Sequence, residues 1–135
     1  VNAGRLLRET GYDSDMLRSR IAPIDPDRVN VWPASSLVRR FWRAGIKGVT
    51  QWRWVLVDPD TLRGDPDLLA RLVIHELVHL RQFRDLGFLR FMSRYVYQYW
   101  AGRLRGGSAR QAYLDIEAER EARETTTEVV TATRG

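Results

Sequence analysis

The chain has 135 residues, 44% of them hydrophobic and five of them tryptophan, which fits one folded domain and excludes a disordered segment. With no cysteine there is no disulfide, no thiolate nucleophile and no cysteine-held zinc, so any metal must be bound by histidine and carboxylate. The net charge is +5, and Lys47 is the only lysine among 22 basic residues; so strong an arginine bias fits solubility or an acidic partner as well as phosphate, and it supports no specific nucleic-acid interaction.

Residues 1–27 read as an N-terminal arm or cover. Asp13 or Ser14 caps a brief helix through Met16, Leu17 and Ile21, and Pro23, Asp25, Pro26 and Asp27 then force an extended turn. Val29 to Trp32 is β-branched and aromatic and is ended by Pro33, the pattern of a short strand. A short helix is predicted from about 36 to 44, where Leu37, Val38, Phe41 and Trp42 recur before Gly45. Residues 46–57 alternate in part and end in Val55-Leu56-Val57, which predicts a hairpin or bent strand. The edge of that strand is a candidate to pair with an extended peptide, the alternative being that it only roofs the core.

The next stretch holds both histidines of the chain. Asp65 is placed to cap a helix and Pro66 suits its first position, where the missing N–H costs nothing. Leu68, Leu69, Leu72, Val73, Leu77, Leu80 and Phe83 recur at helical spacing until Gly87, so the spacing predicts a central helix from about Pro66 to Leu86. His75 and His79 are four apart and share a face, with Glu76 beside them: His-Glu-x-x-His, in which two imidazoles bind one zinc ion and the glutamate acts as general base. The competing reading is two ordinary core histidines bonded to backbone.

Phe88, Phe91, Met92, Tyr95, Val96 and Tyr99 then predict a second long helix to about Arg103. Its aromatic stripe reads as core or as a face for an oligomer or partner, while Arg90, Arg94 and Arg103 argue against a membrane span. Ser108 and Gln111 form a capping box that opens a third helix through about Glu124, with a threonine-rich tail, 125–135, expected to fray.

Hydrolytic zinc takes three protein ligands and keeps one open position. Without a third histidine the third ligand must be a carboxylate, and the last helix offers Asp115, Glu117, Glu119, Glu121 and Glu124. Ala112, Ile116, Glu119 and Ala122 fall on one mostly apolar stripe, whereas Glu117, Glu121 and Glu124 share a face with Arg120. A carboxylate on a buried stripe needs a partner, which selects Glu119, with Glu117 as first substitute and an arginine as the competing partner. Tyr113, two turns before Glu119 on the same predicted helix, and Tyr95 are candidates to hydrogen-bond an oxyanion.

His75-Glu76-Leu77-Val78-His79 followed by Gln82, with Glu119-Arg120-Glu121-Ala122 later, resembles the zincin superfamily, specifically small gluzincin-like metallopeptidase domains of bacteria. In these a first helix carries HExxH and a later helix a glutamate three residues before an alanine, and Gly48 to Asp58 looks like the strand that precedes the HExxH helix. The resemblance spans about residues 46–124; Arg123 stands where related peptidases often carry Asp. It implies a minimal zincin-like α+β fold, a small sheet or hairpin on a central HExxH helix with two further long helices. The whole chain is then one domain: arm 1–27, short strands and a helix over 28–57, a helical metal-binding core over 65–124, and the tail.

The expected function is a peptidase that takes a peptide or protein substrate, with one Zn²⁺ on His75, His79 and Glu119 and with Glu76 as general base. The alternative is a catalytically silent zinc-binding scaffold or interaction domain. No run of about 18 apolar residues exists and nothing has the layout of a signal peptide. The cytoplasm is the favoured expectation, with a trimmed leader left open by a chain that begins at Val1.

Overall fold

The computed structural model describes residues 1–33, 48–51 and 54–134, and the helix predicted at 36–44 lies outside them. The fold is α+β. Two short helices come first, α1 (Ala3–Glu9) and α2 (Asp15–Ile21). Asn2 caps α1 through Arg5 N, and Ser14 caps α2 through Leu17 N. The extended turn expected at Pro23 to Asp27 is instead followed by a single 3₁₀ turn, Pro26–Arg28, because the Asp25 side chain accepts from Asp27 N and closes it. Leu6, Leu7, Tyr12, Leu17 and Ile21 are all buried, so the arm belongs to the main core.

Three strands follow, β1 (Asn30–Pro33), β2 (Gly48–Gln51) and β3 (Trp54–Val57), in the order β1-β3-β2. β2 and β3 pair antiparallel, Thr50 opposite Val55, as the hairpin expectation required, and β1 joins β3 in parallel with Val31 opposite Val55. Val31, Val55 and Val57 are fully buried, joining the cluster formed by Val73, Ile74 and Leu77 of the central helix. The edge expected from 46–57 narrows to β2, since β3 is paired on both sides. The far side of β1 is covered by Val1: Val31 N donates to Val1 O at 2.7 Å, and Val1 N donates to Val31 O at 3.1 Å.

The one-turn helix α3 (Pro59–Arg63) was not foreseen in the Asp58-Pro59 turn. The central helix α4 runs Pro66–Leu86 as its punctuation predicts. Asp65 accepts from Asp67 N at 2.9 Å, Pro66 occupies the first turn, and Gly87 ends the helix at φ 78, a backbone state open to glycine at little cost. Tyr12 OH donates to Asp67, tying the N-terminal region to this end. Ten residues of α4 are buried, from Leu69 to Gln82, and each fully buried Leu, Ile or Val contributes about 1.5–3 kcal/mol.

Helix α5 (Phe88–Leu104) matches its prediction within a residue. The single helix expected over 108–124 is a correction: it is two, α6 (Ala109–Leu114) and α7 (Glu117–Arg134), broken at Asp115 and Ile116. The break is stabilised by groups distant in sequence. Gln98 of α5 accepts from Glu117 N at 2.8 Å, and Arg123 donates to Leu114 O at 2.7 Å, so both frayed ends find partners. The tail is a second correction, because α7 continues to Arg134. Thr125 and Val129 are buried, Arg20 pairs with Glu128 at 2.8 Å, and Thr126 and Thr133 hydroxyls bond the carbonyls four residues back. α7 packs along α4, and that contact builds the site.

Candidate metal centre

α4 presents His75 and His79 one turn apart, their rings edge to face with centroids 4.9 Å apart. α7 supplies Glu119 from across the helix contact. Its Oε2 lies 2.9 Å from His75 Nε2 and its Oε1 3.2 Å from His79 Nε2. One ligand atom from each of the three residues lies within 4.8 Å of the other two. Glu119 is only 5% exposed, a burial that a carboxylate tolerates when paired.

Surrounding polar groups fix His79 and Glu119. Gln82, one turn after His79, donates through Nε2 to Ala118 O at 3.1 Å and to Glu121 at 2.9 Å, so its Oε1 is the acceptor for His79 Nδ1 at 2.7 Å. The proton is thereby placed on Nδ1 and Nε2 is aimed at Glu119, the arrangement metal-binding histidines use. Tyr95 of α5 donates to Glu119 Oε1 at 3.1 Å, and Tyr113 of α6 stands close enough to Glu119 to feel its charge. Tyr113 therefore reaches the site from a separate helix and not from two turns earlier on the same one. Phe91 closes one side of the His79 ring, with centroids 6.2 Å apart.

Burial works against the charge on His79, but the Glu119 hydrogen bond, the charges of Glu76 and Glu119 and the bond to Gln82 outweigh it and lift the imidazole to about 9. Burial likewise works against the Glu119 anion, yet its two histidine partners hold it well below the usual carboxylate range. Burial first, then the Glu119 charge, pushes the Tyr95 and Tyr113 phenols up, so both keep their protons at neutral pH.

Two imidazoles and one carboxylate form the donor set zinc favours. Tetrahedral bonds of about 2.1 Å separate ligand atoms by roughly 3.4 Å; Glu119 meets the two imidazoles through different oxygens, at 2.9 and 3.2 Å, and one donor atom from each residue lies within 4.8 Å of the other two, so small side-chain shifts bring three donors to that spacing. The residues fit the ion. Glu76 is buried beside the cluster, its charge felt by His79, Tyr95 and Tyr113, but it is not one of the three converging groups. Glu117 points away and pairs with Arg94 at 3.1 Å on the surface, and Glu121 is held by Arg81 and Gln82. Sequence reasoning gave Gln82 no role, though its spacing of three from His79 on the same helix face was the available signal. Comparison of the chain with protein-family models, with curated proteins and with solved structures gives no match in any of the three.

Proposed function

We propose that the chain is a zinc-dependent peptidase of zincin-like architecture, in which His75, His79 and Glu119 hold Zn²⁺ and Glu76 is the general base. The observation that carries this reading is the buried Glu119 carboxylate clamped between two imidazole nitrogens on a neighbouring helix. When bound, zinc supplies a Lewis acid that lowers the pKa of a water to about 7 and polarises a carbonyl.

The chain's own residues do the rest. Glu76, adjacent to His75 on α4 and outside the ligand set, accepts the proton of the attacking water and returns it to the leaving nitrogen. Gln82 keeps the His79 ring in the tautomer that frees Nε2. Tyr95 spends its single phenolic proton on the Glu119 carboxylate, which leaves the protonated phenol of Tyr113 as the donor for a developing oxyanion. An extended peptide is accommodated by the outer edge of β2, which no strand among the described residues occupies.

A second reading, a zinc-holding scaffold that turns nothing over, draws support from access. The side chains of His79 and Glu119 are 8% and 6% exposed, and His75 is the most open ligand at 20%. Hydrolysis of an unfolded protein by the parent and by Glu76→Gln separates the two. The peptidase reading expects cleavage by the parent and a loss of about a hundredfold or more in Glu76→Gln, with zinc retained. A zinc-loaded parent that cleaves nothing establishes the scaffold, and undiminished turnover in Glu76→Gln removes Glu76 from its role.

A further inference from the structure

α5 has two faces with different partners. Its inner face carries Phe91, Tyr95 and Gln98, which touch His79, Glu119 and Glu117 respectively. Its outer face carries Leu89, Val96, Trp100 and Leu104 in one line, flanked by Met92 and Tyr97, and these run from 37% exposed at Met92 to 87% at Leu104. At 100° per residue, Arg90 falls on one margin of this stripe and Arg103 on the other. Arg110 stands on the next helix, α6. All three arginines are exposed, and none has a carboxylate partner among the described residues.

We propose that the outer face of α5 is a docking surface for an anionic phospholipid bilayer, with the helix lying flat in the interface. No helix among the described residues is long and apolar enough to cross a membrane, so the contact is superficial. The chemistry matches such a surface at each level. The apolar line enters the boundary of headgroup and acyl chain, Trp100 and Tyr97 place amphipathic rings at headgroup depth, and the arginines on both margins extend their stems along apolar surface and meet lipid phosphates. A nucleic acid has no use for the apolar line, and a second copy stacked face to face sets Arg90 and Arg103 against their own counterparts on a chain of net charge +5. Docking leaves α5 between lipid and the metal centre, holding that centre about one helix diameter, ~10 Å, from the surface.

The inference stands on residues outside the metal site and is tested without turnover. The full chain is sedimented with vesicles of phosphatidylcholine and phosphatidylglycerol, 3:1, and with phosphatidylcholine alone, at 0.1 and 0.5 M salt. Expected are binding to the anionic vesicles at least tenfold tighter than to the neutral ones, weakening at high salt, and a loss of at least tenfold in Val96→Glu/Trp100→Glu with unchanged thermal unfolding. Arg90→Glu/Arg103→Glu alters only exposed positions and guards against a misfolded apolar variant; at about fivefold per arginine it also loses at least tenfold. Absence of binding to the anionic vesicles overturns the proposal, as does equal binding by the arginine variant. A dimer in sedimentation velocity that Trp100→Glu dissociates, with no vesicle binding by the parent, assigns the face to a second copy instead.

Discussion

Glu117 and Glu119 are two residues apart on α7, and the helix turns them into different chemical objects. Glu119 faces α4, where it is buried, meets two imidazoles and a phenol, and is held ionised against the pull of burial. Glu117 faces solvent, where it pairs with Arg94 while both side chains remain more than half exposed. The same carboxylate is therefore a buried partner of two imidazoles on one face and a screened surface charge on the other. Exposed pairs contribute about 0–1 kcal/mol, while removing one partner of a buried pair costs about 3–5 kcal/mol.

Glu119→Ala is expected to show the largest effect, a loss of about 3 kcal/mol in urea unfolding, because it strips both histidines of their anion. A cost below 1 kcal/mol would erase the contrast between the two faces. Next comes the pH dependence of chelator-treated protein. His79 is lifted from 6.5 to about 9, so its ion pair stabilises fully below 6.5 and is lost as pH rises through 9; the lowered Glu119 stabilises above its ordinary 4.5 and is lost as pH falls. The metal-free chain should lose on the order of 3 kcal/mol between pH 6.5 and above 9, and His79→Gln should flatten that slope. Zinc affinity should rise over the same window, since a ligating imidazole must shed its proton.

Gln82→Leu tests the layer behind the ligands. It is expected to weaken zinc binding about 10–100-fold, read by competition with a chromophoric chelator, and unchanged affinity would show that the His79 ring is oriented by packing alone. The smallest effect belongs to Glu117→Ala, which should move stability by less than about 0.5 kcal/mol.

The stretch from Asp65 to Gly87 was legible because its signals are local: a capping aspartate, a proline in the first turn, an apolar period and a glycine stop. The β2–β3 hairpin was legible for the same reason. Glu119 could be singled out because Ala112, Ile116, Glu119 and Ala122 are all buried, although a break separates α6 from α7 between them. That break was not legible. Gln98 and Arg123 cap it from outside the segment, and nothing in residues 114–117 announces it. The length of α7 was misjudged because threonine has low helix propensity, a weak preference that burial of Thr125 and Val129 overrides. Gln82 illustrates the limit most clearly: its role requires the Ala118 carbonyl and Glu121 to fix which end of the amide faces His79.

In the proposed function, one face of α7 completes a metal site begun on α4. Elemental analysis of protein purified without chelator or affinity metal, for the parent, Glu119→Ala and Glu117→Ala, tests it most directly. About one zinc per chain is expected in the parent and in Glu117→Ala, and none in Glu119→Ala. A parent that holds no metal after added zinc, or a Glu119→Ala variant that keeps it, would rule out this site and leave His75, His79 and Glu119 as a buried ion-pair network.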